Sequence, residues 1–162
     1  MKITLYYFKI PFWRAEVTRL SLYIADIPFN DHRIEGDEYN EFKKTGKLPN
    51  GKIAPFKQLP VLEVDENIFA QTGAIARYCG KLSGLYPKDD DYKSALIDQI
   101  IEAAQDINFL VTLSGRDKDP EKKKIAREIL ATRHLPKWFK YLENLNNQND
   151  QSVYFVGKDL TI

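Results

Sequence analysis

Residues Gln58 to Gly80, QLPVLEVDENIFAQTGAIARYCG, decide the fold, because a proline-led strand, a second strand and a polar-headed helix follow one another without interruption. Pro60 opens the first strand, where its missing N–H removes no ladder donor, and Val61-Leu62-Glu63-Val64 continues it. Asp65-Glu66-Asn67 supplies turn residues and Ile68-Phe69-Ala70 a second strand, so the spacing predicts a short antiparallel hairpin although no glycine marks the turn. Thr72 then reads as the N-cap of a helix whose apolar residues Ile75, Tyr78 and Leu82 share one face. A helix start presents unpaired amides and about half a positive charge, so Gln71 and Thr72 are either a plain cap or a grip for a small carboxylate.

Upstream of this run, Ile3 to Phe8 is rich in β-branched and aromatic residues and predicts a first strand. Arg14 to Asp26 predicts a helix, with Val17, Leu20, Ile24 and Ile27 as its sheet-facing stripe and Pro28 as its stop. Phe29 to Ile34 predicts a second strand, reached by a right-handed crossover. Asp37 to Lys44 is a short helix and Gly46 to Lys57, with two prolines and two glycines, a loop. The order β-α-β-α-β-β-α is that of a thioredoxin-like domain, ending near Ser83-Gly84 with Pro87 just beyond. Thioredoxins carry a reactive cysteine between the first strand and first helix. Lys9-Ile10-Pro11-Phe12-Trp13 stands there instead, which excludes dithiol redox chemistry.

Downstream of the polar linker Lys88-Asp89-Asp90-Asp91 the pattern is helical throughout, which predicts a thioredoxin-like domain over 1–84 and an all-α domain over 85–162. Leu96, Ile100, Ala103, Ile107 and Leu110 form one stripe and Ile97, Ile101 and Ala104 a second beside it, too wide for a helix with a single neighbour. Asp119-Pro120-Glu121 is a helix start, with an N-cap, proline at the first helical position and an acid in the first turn. Ile125, Ile129, Trp138, Leu142 and Leu145 follow, and Pro136 kinks or splits the helix.

Composition narrows the function further. A chain of 162 residues that is 43% hydrophobic can bury a substantial core. A net charge of +1 leaves no electrostatic footprint for nucleic acid, and Glu121-Lys122-Lys123-Lys124 reads as the wet face of a helix. The apolar start is too short for a signal peptide and no later run spans a bilayer, so the expected setting is cytoplasmic, with no membrane partner. Cys79 is the single cysteine, allows no internal disulfide and reads as a buried, inert thiol. His32 and His134 make no ligand spacing with it, so no metal is expected.

Gln58-Leu59-Pro60-Val61-Leu62, Glu63-Val64-Asp65 and Gln71-Thr72-x-Ala74-Ile75-x-Arg77-Tyr78 together resemble the glutathione-binding half of the cytosolic glutathione transferases, most nearly the sigma-like class. The terminal Phe155-Val156-Gly157-x-x-Leu160-Thr161 resembles that family's entry to its next helix, with Thr161 as N-cap; the chain stops one residue later, so the resemblance implies a form truncated before the later helices.

The resemblance implies a cis Pro60, with the backbone N–H and C=O of Leu59 offered to the cysteinyl unit of glutathione as to one more strand. Gln58 belongs to the same segment. Gln71 and Thr72 would grip the γ-glutamyl carboxylate, while Tyr39 and Lys43 would hold the glycine end by charge-assisted bonding. Pro49-Asn50-Gly51-Lys52 lengthens the neighbouring loop beyond the family's usual form. Tyr7 would donate its hydroxyl hydrogen to the glutathione sulfur and favour the thiolate, with Arg14 opening the next helix. By residue pattern alone Tyr7 is a strand aromatic and Tyr6 its competitor. Tyr7 is preferred because Tyr7-Phe8 matches the family's strand end and alternation turns Tyr6 to the other face.

Asp106 would reach across a homodimer to the amino group of glutathione, although by pattern alone it is a solvated helix aspartate. Phe12, Trp13, Phe109 and Leu113 are the candidate electrophile pocket. The implied activity is conjugation of glutathione to small hydrophobic electrophiles, with glutathione as co-substrate and no other cofactor. The alternatives are a non-catalytic glutathione- or hydrophobe-binding protein and a glutathione-dependent lipid peroxide isomerase.

Overall fold

Strand β1 (Ile3–Phe8) is buried from Ile3 through Tyr7, because helices cover both faces of the sheet it belongs to and neither set of alternating side chains meets water. In the computed structural model, which describes residues 1–149 and 152–162, β1 pairs in parallel with β2 (Asn30–Ile34) and antiparallel with β3 (Val61–Val64). Strand β4 (Asn67–Ala70) completes the order β2-β1-β3-β4 by pairing antiparallel with β3. The β3–β4 turn is closed by Asp65 at φ +55°, which does the work of the absent glycine.

Helices α1 (Glu16–Ile24), α2 (Gly36–Thr45) and α3 (Thr72–Ser83) flank this sheet. Helix α2 buries Phe42 and ends at Gly46, whose φ of +78° is the left-handed turn that closes a helix. A Cβ there would lie 2.6 Å from Lys57 Cγ. The following loop anchors Leu48 and Ala54 in the core and folds on itself through a bridge between Lys47 and Ile53. Helix α3 buries Ile75, Ala76 and Cys79, with Tyr78 and Leu82 packed at the margin.

Two sequence expectations are corrected here. The stripe Val17, Leu20, Ile24 and Ile27 is not the inward face of α1: Ala15, Thr18, Arg19 and Leu22 are buried, and Leu20 and Ile24 are half exposed. These buried residues fall at the same helical spacing, and the charged one, Arg19, is neutralised by Glu16 and Asp31. Thr72 is not the N-cap of α3. Gln71 holds that position at φ +78°, ψ +120°, makes no side-chain cap, and Thr72 is the first, buried, helical residue.

The chain divides into two compact units, 1–88 with Ile162, and 89–161. In the second, α5 (Pro120–Ile129) is capped by the Asp119 side chain, as the sequence predicts, and α4 (Asp91–Ser114) by Asp90, which the sequence reading left in the linker. A π-helical turn (Leu130–His134) leads to α6 (Leu135–Asn147). Pro136 falls just after that turn, and the wider turn absorbs the amide hydrogen bond that proline cannot make. On α4 the narrower stripe is the buried one, through Ile97 and Ile101, whereas Leu96, Ile100, Ile107 and Leu110 remain partly exposed. No helix of the described residues is long and apolar enough to cross a membrane.

Candidate active site

Strand register brings the candidate residues of the first unit to one end of the sheet. Tyr6 is paired with Val61 and Val61 with Ala70, so the end of β1, the start of β3 and the end of β4 lie side by side. Phe8 opposite Ile34 adds the end of β2 and the approach to α2. Tyr7, the Leu59-Pro60 peptide and Gln71-Thr72 therefore share that end, and the Leu59–Pro60 bond is cis. Tyr39 comes to it from α2, its ring edge-on to Phe8 with centroids 5.6 Å apart, and Lys43 lies one turn further along the helix. Gln58, Lys43 and Gln71 are exposed, whereas Leu59, Pro60 and Thr72 are buried.

The Tyr7 side chain is only 1% exposed. Burial raises its pKa above the ordinary tyrosine range, opposed by a hydrogen bond from the Arg14 backbone N–H and by the charges of Arg14 and Arg19. The phenol is therefore neutral at pH 7. Because its oxygen accepts from Arg14, its hydrogen remains available for donation. The chain reaches Arg14 through Trp13 at φ +94°, a left-handed position for a non-glycine residue. Arg19 was not legible as a site neighbour in the sequence; its guanidinium lies 5.9 Å from the Tyr7 ring centroid, oriented by Glu16 and Asp31 at 3.1 Å each. The available signal was an arginine inside the i, i+3, i+4, i+7 set Ala15, Thr18, Arg19, Leu22, which the apolar stripe masked.

Tyr6 faces the other way. Its hydroxyl donates to Glu63 Oε2 at 2.9 Å, and burial followed by the Glu63 carboxylate pushes its pKa up. Phe12 is 59% exposed and meets Trp13 edge-on, with Trp13 half-buried. In the second unit Asp106, Phe109 and Leu113 lie on one exposed face of α4. Among the described residues no cluster of His, Cys, Asp and Glu is arranged to hold a metal ion.

A four-stranded thioredoxin-like sheet followed by a helical unit, with polar groups gathered at the sheet end beside a cis proline, is the architecture of a glutathione-using transferase. Residues 3–81 match the family model for the glutathione S-transferase N-terminal domain and residues 106–162 that for the glutathione S-transferase C-terminal domain. The chain belongs to the glutathione S-transferase family. It is 32% identical over 148 residues to the hematopoietic prostaglandin D synthase of Gallus gallus, covering 91% of this chain and 67% of that one. It is also 32% identical over 166 residues to the glutathione S-transferase of Plasmodium falciparum, covering 98% and 74%. The solved structure of prostaglandin synthase D of Nilaparvata lugens superposes with a TM-score of 0.84 at 30% identity, covering 99% of this chain and 75% of that one.

Proposed function

We propose that this protein is a sigma-like, cytoplasmic glutathione transferase that joins the glutathione thiolate to small hydrophobic electrophiles, as in detoxification. The observation that carries the reading is the state of Tyr7: a neutral phenol at the sheet end whose oxygen accepts from the Arg14 backbone and whose hydrogen is left to donate. Donation to a thiolate sulfur stabilises the charged form and lowers the thiol pKa, so more nucleophile is present at neutral pH. The thiolate then attacks the electrophilic carbon, the carbon–sulfur bond forms, and the leaving group departs with its electron pair.

The remaining roles belong to the same proposal. Leu59, placed by Gln58 and Pro60, pairs through its backbone with the cysteinyl unit, and Gln71 with Thr72 holds the γ-glutamyl carboxylate at the α3 N-terminus. Arg14 supports Tyr7, while Tyr39 and Lys43 meet the glycine carboxylate. Phe12 and Trp13 offer the apolar surface for the electrophile in the first unit. Asp106 serves the partner subunit of a homodimer. The half-exposed stripe Leu96, Ile100, Ile107 and Leu110 supports that assembly, and sedimentation at micromolar concentration is expected to give a dimer.

Several matched relatives are named prostaglandin D synthases, which favours as second reading a glutathione-dependent isomerase of a lipid peroxide at the same Tyr7. Turnover of 1-chloro-2,4-dinitrobenzene with glutathione, set beside calorimetric binding of glutathione alone, tests the proposal. Conjugation supports the transferase; binding without conjugation leaves the isomerase or a binding protein.

A further inference from the structure

The Glu63 carboxylate is the hub of a cluster on the sheet face opposite Tyr7. Its Oε2 accepts from the Tyr6 hydroxyl and from Asn50 Nδ2, each at 2.9 Å, and its Oε1 accepts from Lys52 Nζ at 2.6 Å. Lys52 Nζ also donates to the backbone carbonyl of Glu66 at 2.7 Å. The Glu63 side chain is 13% exposed and that of Lys52 35%. An isolated exposed pair of this type would contribute little. Here one largely buried carboxylate receives hydrogen bonds from three side chains, one of them cationic, and such charge-assisted bonds are roughly twice as strong as neutral ones.

Both loop donors, Asn50 and Lys52, come from the loop between α2 and β3. Their acceptor sits on β3, four residues after Leu59. The ion pair therefore closes the chain between residues 52 and 63, and inside that closure lie Gln58, Leu59 and cis Pro60. Within it, Ala54 is fully buried and the Lys57 N–H donates to the Ala54 carbonyl at 3.0 Å. Gln58 itself is exposed. Closing a loop in the free protein removes conformational freedom that a ligand would otherwise have to remove on binding.

We propose that Lys52 and Asn50, clasped on Glu63, are positioning residues that preorganise Gln58 and Leu59 for glutathione. This rests on the glutathione site proposed above. The clasp lies on the opposite face of the sheet from Tyr7, so it acts on binding and leaves the reacting sulfur alone.

The test is glutathione affinity by calorimetry and steady-state turnover with 1-chloro-2,4-dinitrobenzene for the wild type, Lys52→Met, Asn50→Ala and Lys52→Arg. Lys52→Met is expected to raise both Kd and KM for glutathione about tenfold, with kcat at saturation within about twofold of wild type. Lys52→Arg should restore most of the affinity, and Asn50→Ala should fall between. Amide exchange in residues 53–60 should quicken in Lys52→Met. A Lys52→Met variant that binds glutathione as tightly as wild type, whatever its melting temperature, overturns the clasp as a positioning device and leaves the site intact. A wild-type chain that binds no glutathione overturns the site and this inference with it.

Discussion

Tyr6 and Glu63 are joined by a 2.9 Å hydrogen bond across β1 and β3, and this bond commits the Tyr6 hydroxyl to the sheet face opposite Tyr7. The two adjacent hydroxyls are therefore on opposite faces of the sheet. The substitution of each by phenylalanine separates them.

Tyr7→Phe keeps the ring and removes the donor. A free thiol titrates at about 8.5, so without help only a few per cent of bound glutathione is thiolate at pH 7. Turnover at pH 7 is expected to fall about tenfold to a thousandfold, and the activity–pH curve should shift to higher pH. Tyr6→Phe should leave the thiol pKa unchanged and cost about 1 kcal/mol of stability, because Glu63 retains Asn50 and Lys52. Thiolate absorbance titrated in the wild type and both variants checks the assignment; a shifted pKa in Tyr6→Phe alone would reverse it.

Under the proposed grip, Gln71→Ala combined with Thr72→Ala acts far from the sulfur, on a part of glutathione bound equally in ground and transition states. The expected outcome is a KM for glutathione raised by about tenfold or more with kcat at saturation nearly unchanged. Steady-state kinetics over glutathione concentration measures it, and a fall in kcat at constant KM would contradict the proposed grip.

Cys79 is fully buried, and burial pushes its thiol pKa up to about 12. The native protein should not react with a disulfide reagent at pH 8, whereas one equivalent should react in denaturant. The pH dependence has a definite sign. The folded state favours the neutral thiol, so its contribution is complete below the ordinary value of 9.0 and is lost as pH rises from there towards 12. Cys79→Ala should show a shallower loss of stability across that alkaline range.

Glu63 has the opposite sign. The hydrogen bonds from Lys52, Tyr6 and Asn50 outweigh its desolvation and lower its pKa below the ordinary 4.5. Its contribution is complete above the unfolded value and disappears as pH falls through the lowered folded one. Melting temperatures taken between pH 6 and pH 3 should fall less steeply in Glu63→Gln than in the wild type.

Much of the fold was legible in the chain. Alternation and turn chemistry place β3 and β4, proline and glycine bound α1 and α2, and Asp119 caps its helix as ordinary local rules require, since each of these signals acts within a few residues. The candidate ligand residues are implied by a family resemblance carried on motifs in that same local range. The inward face of α1 was not legible: two sets of residues shared the helical period, and only packing against the sheet selected the set that contains Arg19. Nor was the cap of α3, because the positive φ of Gln71 is imposed by the path from β4 into the helix. The partners of Tyr6 and of the Tyr7 oxygen were also decided in three dimensions. Hydrogen bonds between residues as far apart as Tyr6 and Glu63 leave no periodic trace in sequence; they exist because the β1–β3 register puts the two side chains on one face.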